Sequence, residues 1–169
     1  MGLQRIENAN YYDFIWDSPP CTHYSIARTT AKTPRDFEGA DAIVAKTLEI
    51  IEYFDPPLWL MENPQTGYLK TRPVVAGIPH QDVTSCKYAY LYKEQTRLWG
   101  TFPFALRPPC TRHDPCEFLE NGRHPHLAQR YGVRGQTQQQ LFTIPPDLCG
   151  QIALYATSWL ESHNVEHNV

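Results

Sequence analysis

The chain has 169 residues, a hydrophobic content of 41% and a formal net charge of -3 at pH 7. This length suits one globular domain with a real core and excludes two domains of ordinary size. No apolar run approaches the roughly 20 residues that cross a bilayer, and the N-terminal MGLQRIENAN lacks the apolar stretch of a secretory signal. We therefore expect no membrane association and an intracellular protein, in the cytoplasm of a prokaryotic host or the nucleus of a eukaryotic one.

The charge is unevenly distributed along the chain. Between Thr66 and Gly135 there are ten Lys or Arg residues against five Asp or Glu, so this segment is basic and the remainder is acidic. The basic middle could bind a polyanion such as DNA, or it could be a solvated face, because dispersed cations form a patch only once the fold brings them together.

The first predicted elements are a strand and a helix. Residues 12–16, YDFIW, form a hydrophobic run that predicts a buried strand ending at Pro19 and Pro20. Thr33, Pro34 and Asp36 predict a helix start, with a hydroxyl cap and Pro at the first helical position. Apolar residues then recur at three- and four-residue steps on one face, which Asp55, Pro56 and Pro57 terminate: Ala40, Ile43, Val44, Thr47, Leu48, Ile51 and Phe54.

A second buried strand is predicted over Leu58 to Met61, directly before Glu62, Asn63 and Pro64. A strand, a helix and a strand form a crossover unit, so the two strands are predicted to be parallel, with their carboxyl ends on one edge of the sheet. Cys21 and Glu62 would then lie on the same side, where open α/β sheets bind ligands.

The rest of the chain has weaker patterns. The segments 83–92 and 96–102 predict antiparallel edge strands, and residues 103–140, which contain a third of the prolines and half of the glutamines, predict a loop-rich insert. The segment 145–160 predicts a helix starting near Pro145 or Pro146, with Cys149 in the core and the following residues on its buried face: Leu148, Ile152, Tyr155, Ala156 and Trp159. The expected organisation is a single domain, 1–169, with an α/β core over 11–102 and 141–161.

Five cysteines are an odd number in a chain without an export signal, which favours catalytic, metal-binding or unpaired thiols over structural disulfides. A thiolate just past a strand is a strong nucleophile, and a carboxyl group on the same edge can act as acid, base or hydrogen-bond anchor. Cys21 could equally be a small buried hydrophobic residue and Glu62 a helix cap. His23, beside Cys21, also raises the alternative of a Cys/His hydrolase.

A separate group of thiols lies further along the chain. Cys110 and Cys116 are separated by five residues, His124 follows after seven more, and Cys86 lies upstream. Three thiols and one imidazole suit a closed tetrahedral zinc site that would stabilise a loop with little core. His113 and His126 are competing ligands, and three metal-free thiols are the alternative.

Four segments together resemble a known family. In order, "SPPCTHYS", "WLMENP", "YKEQTRLW" and "FTIPPDLC" resemble the PPC, ENV-type, QxRxR and C-terminal helix motifs of DNA (cytosine-5) methyltransferases, in particular the compact phage, viral and algal branch. The resemblance extends from about Tyr12 to Leu160. It implies a partial Rossmann-like methyltransferase sheet with helices and a small insert containing Cys and His.

The resemblance implies a role for each motif residue. Cys21 would attack C6 of a flipped cytosine, Glu62 would hold N3 and the exocyclic amine, and Arg97, matching the last arginine of QxRxR, would contact the base carbonyl. The methyl group would come from S-adenosylmethionine. Further contacts with the substrate are expected from the residues beside these motifs, namely Pro20, Ser25, Arg28, Asn63 and Pro64; Ser25 and Arg28 could also simply cap their loop.

The chain departs from the family pattern in the cofactor half. No Gly-x-Gly occurs, and the upstream motifs that bind S-adenosylmethionine are not visible. The expected function is therefore the catalytic portion of a DNA cytosine-5 methyltransferase that takes its cofactor site from a second polypeptide or a missing segment. The alternatives are a truncated, catalytically silent homologue that binds DNA or protein, and a cysteine enzyme with different chemistry.

Overall fold

The structure, a computed structural model, describes residues 11–127 and 143–163. In chain order its elements are β1 (Phe14–Asp17), α1 (Phe37–Phe54), β2 (Leu58–Pro64), β3 (His80–Thr84), β4 (Tyr92–Lys93), β5 (Gln95–Thr101), β6 (His126–Leu127) and α2 (Pro146–Ser162). Three short 3-10 helices lie between them, at Leu69–Thr71, Pro73–Val75 and Ser85–Tyr88. The chain is thus a mixed α/β protein, as predicted.

The crossover unit is confirmed. Strands β1 and β2 pair in parallel, with Phe14 opposite Leu58 and Asp17 opposite Met61. Their carboxyl ends therefore lie on one edge, as the order of strand, helix and strand requires. Strand β2 is longer than predicted and continues through Glu62 and Asn63, because these residues still pair with β5.

Helix α1 begins later than its sequence signals indicate. Asp36, not Thr33, is the N-cap, and its carboxylate accepts a hydrogen bond of 2.8 Å from the Gly39 backbone N–H. The prediction of the start failed because Thr33 and Asp36, three residues apart, both suit an N-cap. The helix begins after Asp36, which is nearer to the first buried turn. The helix ends as predicted at Asp55, which adopts a left-handed conformation.

One face of α1 is buried, at Ala40, Val44, Thr47 and Ile51. Ile43 was expected on this face, yet half of its side chain is exposed. The buried stripe of the helix is narrower than the set of apolar residues in the sequence pattern. This face contributes to a core cluster with residues of β2, β5 and the intervening segments: Tyr24, Ala40, Val44, Met61, Leu69, Val75 and Trp99.

The main sheet has the strand order β1, β2, β5, β3. Strand β5 was expected at an edge, but it lies inside the sheet and is antiparallel to β2. Its Gly100 has a φ of 147°, and an added Cβ would lie 2.1 Å from the Trp59 carbonyl oxygen. Glycine is required here because the two strands approach too closely for any side chain.

The predicted strand over 83–92 is also wrong in part. Strand β3 begins at His80, and a 3-10 helix replaces the strand at Ser85–Tyr88. The Ser85 hydroxyl donates to the Tyr92 carbonyl and accepts from the Glu94 N–H, both at 2.8 Å. These two hydrogen bonds close the segment into a turn. They compete locally with strand formation, and apolar periodicity does not reveal them.

Helix α2 starts at Pro146 and buries Leu148, Ile152 and Ala156, in agreement with the sequence pattern. Cys149 is exposed, so its expected place in the core is wrong. It follows Leu148 by one residue, which rotates it about 100° away from the buried stripe. The described part of the insert, residues 103–127, is mostly irregular, as expected, and its β6 pairs in parallel with β4; residues 128–140 lie outside the described residues.

The chain divides into two compact units. Among the described residues, the first contains 11–82 and 96–103, and the second contains 83–95, 104–127 and 143–163. Cys21, Glu62 and Arg97 belong to the first unit. The second unit contains the Cys/His group, which consists of Cys86, Cys110, Cys116 and His124. Neither of the two helices in the described residues has the length and apolar character that crossing a membrane requires.

Candidate functional site

Cys21 lies at the start of a tight turn, four residues after β1 ends. Its carbonyl oxygen accepts hydrogen bonds of 2.9 Å from the backbone N–H groups of both Tyr24 and Ser25. The residue is half-buried, between an exposed Pro20 and an exposed Thr22. Pro19 and Pro20 restrict the backbone before the thiol, and the two hydrogen bonds to the Cys21 carbonyl restrict it after the thiol.

Glu62 lies near the end of β2, one residue after Met61, which pairs with Asp17 at the end of β1. Burial raises the pKa of the Glu62 carboxyl above its ordinary value, and the Ser18 hydrogen bond opposes that rise. A buried carboxyl with a raised pKa holds its proton closer to neutral pH than an exposed one, which suits a group that must donate a hydrogen bond.

Asn63 makes the second connection. Its side-chain Nδ2 donates a hydrogen bond of 2.8 Å to the Pro19 carbonyl oxygen, and the residue is only 1% exposed. Its Oδ1 is buried and has no hydrogen-bond partner among the described residues. The Asn63 contact with Pro19, together with the pairing of Met61 with Asp17, shows that the ends of β1 and β2 lie together.

A network that sequence analysis missed anchors the turn after Cys21. Tyr24 is fully buried, and its hydroxyl donates a 2.8 Å hydrogen bond to Asp41 on α1. Arg72 donates to the same carboxylate through Nε and Nη2, at 3.0 and 2.7 Å. The Arg72 hydrogen bonds hold the pKa of Asp41 below its usual range, while burial raises that of Tyr24. The Tyr in "CTHYS" was the available sequence signal for this network, because a buried Tyr needs a hydrogen-bond partner for its hydroxyl.

Arg97 on β5 is held by an acidic residue that the motif did not indicate. Its Nε and Nη2 donate to the two carboxylate oxygens of Asp82 on β3, at 2.6 and 2.8 Å, and its guanidinium lies 5.8 Å from the Trp99 ring centre. This bidentate pairing leaves Nη1 on the edge away from Asp82. Arg97 is opposite Asn63 in the ladder, so the two share a sheet face, whereas Glu62 is opposite Leu98 and belongs to the other face.

The other predicted substrate residues are held in the loop itself. The Ser25 hydroxyl accepts from the Ala27 N–H, and the Arg28 guanidinium donates to the Thr33 and Pro34 carbonyl oxygens at 3.0 and 3.1 Å. Pro64 is half-buried at the end of β2. His23 accepts a hydrogen bond through Nδ1 from the Asp36 N–H at 2.8 Å, so this nitrogen is occupied at the start of α1.

The four predicted metal ligands meet in the second unit. The ligand atoms of Cys86, Cys110, Cys116 and His124 all lie within 4.8 Å of one another. His124 Nε2 is 3.1 Å from Cys116 Sγ and 3.7 Å from Cys110 Sγ. Sulfur atoms around a tetrahedral zinc ion are separated by about 3.8 Å, given zinc–sulfur distances of about 2.3 Å, so the group has the dimensions of a metal site.

The surroundings of this Cys/His group suit metal-bound thiolates. The Cys116 backbone N–H donates to Cys110 Sγ at 3.3 Å, and the Thr84 hydroxyl contacts both Cys86 Sγ and the Cys110 N–H. Burial raises the pKa of the Cys86 thiol to about 12. Burial also lowers the pKa of His124, which favours the neutral imidazole that a metal requires. A metal ion would supply the positive charge that such buried thiols need in order to ionise.

The geometry decides among the histidines that the sequence left open. His124 lies in the group, and His113 and His126 do not belong to it. Sequence spacing missed the supporting residues, because Thr84 and Lys93 come from the sheet and the hairpin region rather than from the insert. The Lys93 ammonium donates to the Cys110 carbonyl at 2.7 Å and so fixes the ligand loop.

No protein-family model matches the chain, but a known viral protein is similar to it. The chain is 29% identical over 164 residues to the protein named "Probable DNA (cytosine-5)-methyltransferase" of Frog virus 3 (isolate Goorha). The alignment covers 82% of this chain and 76% of the viral protein. The sequence is therefore similar over most of its length to a viral protein of this class, which supports the resemblance seen in its motifs.

Proposed function

We propose that this chain is the catalytic portion of a DNA cytosine-5 methyltransferase, with Cys21 as the nucleophile. The observation that carries the proposal is the connection between the two motifs at one sheet edge. Asn63 Nδ2 donates a 2.8 Å hydrogen bond to the Pro19 carbonyl oxygen, and Met61 pairs with Asp17, so the ENP segment lies beside the residues that precede Cys21. The similarity to the viral protein named as a probable DNA (cytosine-5)-methyltransferase supports the same reaction.

In the proposed reaction, the Cys21 thiolate forms a bond to C6 of a cytosine that has left the base stack. The electron pair of the C5–C6 double bond moves toward C5 and N3, which makes C5 nucleophilic. After methylation, loss of the C5 proton restores the double bond and expels the thiolate. The rigid turn around Cys21 favours this attack, because a nucleophile already held in place loses little conformational freedom at the transition state.

Glu62 is proposed to stabilise the base during attack. Its raised pKa keeps a proton available for N3, where negative charge develops, while its second oxygen can accept from the exocyclic amine. Arg97 is proposed to contact the base carbonyl through Nη1, with Asp82 holding the guanidinium in place. Because Arg97 shares a face with Asn63 and not with Glu62, it would approach the base from the opposite side of the ladder.

The methyl donor in this class of reaction is S-adenosylmethionine, which supplies an electrophilic methyl group when bound. The described residues do not offer the glycine-rich turn after a strand that would hold its adenosyl group, and the sequence contains no Gly-x-Gly. We therefore propose that a second polypeptide, or a segment outside this chain, contributes the donor site. The basic segment from Thr66 to Gly135 is proposed to contact the DNA phosphates.

The test is trapping of the covalent intermediate. The purified chain is incubated with S-adenosylmethionine and DNA containing 5-fluorocytosine, with and without the product of the neighbouring gene. Fluorine at C5 prevents the final proton loss, so an active nucleophile stays bound to DNA. We expect an adduct that Cys21→Ala abolishes and that the exposed-thiol control Cys149→Ser retains. An adduct that survives Cys21→Ala would refute the assignment of the nucleophile.

A catalytically silent binding module is the second candidate, and the missing glycine-rich turn favours it. This candidate predicts DNA or protein binding without an adduct under any of these conditions. Fluorescence anisotropy with labelled duplex DNA, measured on the same samples, separates it from an inactive preparation. Retained binding together with no adduct in the presence of the partner would favour the silent module.

We also propose that the Cys/His group binds a structural zinc ion. Three thiols and one imidazole occupy all four positions of a tetrahedral site, which leaves none for catalysis and suits a stabilising role. Apart from α2, the described residues of the second unit form only a short 3-10 helix, two two-residue strands and an irregular insert, so this unit gains most from such a cross-link.

Metal analysis tests this proposal directly. The chain purified without chelator should contain one zinc ion, and Cys110→Ser should lose it, since Cys110 is buried at the centre of the group. Cys149→Ser is the matched control because it removes an exposed thiol on α2 outside the group. Stoichiometric zinc retained by Cys110→Ser would contradict the ligand set.

A further inference from the structure

We infer that Arg35 is a positioning residue for Cys21 and acts through the backbone of the turn that follows the thiol. Arg35 is half-buried and lies just before α1, next to the N-cap Asp36. Its Nη1 donates hydrogen bonds to two carbonyl oxygens of the turn, that of His23 at 2.9 Å and that of Ser25 at 2.8 Å. The inference deepens the proposed function and rests on it, because it gives the proposed nucleophile a defined support.

The contact with His23 reaches Cys21 through a single peptide group. The peptide group between His23 and Tyr24 accepts the Arg35 hydrogen bond at its carbonyl oxygen. The N–H of the same peptide group donates to the Cys21 carbonyl oxygen at 2.9 Å. A cation at the oxygen of an amide strengthens the donor at its nitrogen, because hydrogen bonds in series polarise one another. Arg35 therefore strengthens a bond that closes the turn.

Tyr68 completes a second path to the same Cys21 oxygen. Its backbone N–H donates to the Tyr24 carbonyl oxygen at 2.9 Å, and the N–H on the other side of that peptide group, on Ser25, donates to Cys21 at 2.9 Å. The Tyr68 ring also supports Arg35, whose guanidinium carbon lies 5.1 Å from the ring centre. Three successive carbonyl oxygens of the turn are thus held from outside it.

A cation beside this turn could instead contact a DNA phosphate, and the two roles predict different kinetics. A phosphate contact contributes to DNA affinity, so its loss raises the DNA concentration that the reaction needs. A support of the nucleophile acts on the reacting geometry, so its loss lowers the maximal rate. Both contacts of Arg35 come from one nitrogen atom, so a lysine ammonium at this position can replace them.

The first measurement is made on the turn in the full chain without DNA. Amide hydrogen exchange is followed by NMR in the parent chain and in Arg35→Met, which keeps a long side chain and removes every donor. We expect the Tyr24 N–H to exchange about tenfold faster in this variant, the order of one hydrogen bond to a charged group, while the Leu60 N–H in β2 keeps its rate. Lys32→Met is the matched control, since it removes the same charge from an exposed residue of the same loop.

Adduct formation with 5-fluorocytosine DNA is the second measurement, made over a range of DNA concentrations under the conditions of the trapping experiment. Arg35→Met should lower the maximal rate about tenfold and leave the DNA concentration for half of that rate unchanged. Arg35→Lys should restore most of the maximal rate, and Lys32→Met should behave like the parent chain.

Unchanged exchange of the Tyr24 N–H in Arg35→Met would overturn the inference. A variant that needs more DNA but keeps its maximal rate would also overturn it, in favour of a phosphate contact. Faster exchange of Leu60 as well as Tyr24 would assign Arg35 to the overall stability of the fold and so contradict a positioning role. If the parent chain forms no adduct at all, the proposed function fails, and the Tyr24 exchange still decides whether Arg35 supports the turn.

Discussion

Removal of the Tyr24 hydroxyl tests how firmly the turn after Cys21 is anchored. In Tyr24→Phe the ring stays in the core, and only the 2.8 Å hydrogen bond to Asp41 is lost. A hydrogen bond to a charged group contributes about 1.5–3 kcal/mol. Asp41 keeps its contacts with Arg72 and its side chain is 21% exposed, so we expect the lower limit, about 1.5 kcal/mol. For a chain of this size that corresponds to a fall in Tm of about 3–6 °C.

The measurement is urea unfolding followed by tryptophan fluorescence, since Trp99 belongs to the same core cluster as Tyr24. Tyr11→Phe is the control, because Tyr11 is 67% exposed and loss of its hydroxyl should leave the midpoint unchanged. A Tyr24→Phe variant as stable as this control would show that the Asp41 contact adds nothing to the anchor.

The pH dependence of the same network has a defined sign. Arg72, and then Tyr24, lower the pKa of Asp41 in the folded chain, so the ionised form is favoured by folding. The resulting stability is fully present above the unfolded pKa of about 3.9 and is lost as the pH falls through the lower folded pKa. The difference between the parent chain and Tyr24→Phe should therefore be constant near neutral pH and decrease only below about pH 3.9.

Three further substitutions have clear expected results. Gly100→Ala should destabilise the chain by more than about 3 kcal/mol, because its Cβ would collide with the Trp59 carbonyl; a soluble variant with an unchanged urea midpoint would contradict this. Asp82→Asn should cost about 2 kcal/mol and, under the proposed function, weaken DNA substrate use by loosening Arg97, as steady-state kinetics would measure. Cys149→Ser should change the free energy of unfolding by less than about 0.5 kcal/mol, and a larger loss would mean that this exposed thiol packs in solution.

The sequence predicted the elements that depend on one-dimensional patterns. Local periodicity specified the two strands of the crossover unit and the amphipathic helix between them, and the crossover rule placed the carboxyl ends of the strands at one edge. The first strand was expected to be buried, but β1 lies at an edge of the sheet and its four residues are only partly buried. The grouping of Cys86 with three residues of the insert was also predictable, because thiols and imidazoles are scarce and their chemistry limits the combinations.

The residues that the sequence did not reveal act through distant partners. Asp82 and Asp41 are ordinary acidic residues in the sequence, and their roles arise only when β3 and α1 place them against Arg97 and Arg72. The position of β5 inside the sheet had the same origin. Its pairing with β2 joins residues about forty positions apart, and no local sequence pattern indicates which distant strand will pair with it.

The contacts around residues 18–25 explain why a thiol would be carried on so rigid a segment. Upstream, the Pro19 carbonyl accepts a hydrogen bond from Asn63 on β2; downstream, the Cys21 carbonyl closes a turn whose Tyr24 is anchored to α1. Under the proposed function, a nucleophile held on both sides has few positions available to it. A purely structural thiol needs only to be buried. A reaction at one ring carbon requires, in addition, that the thiol be held in a fixed position.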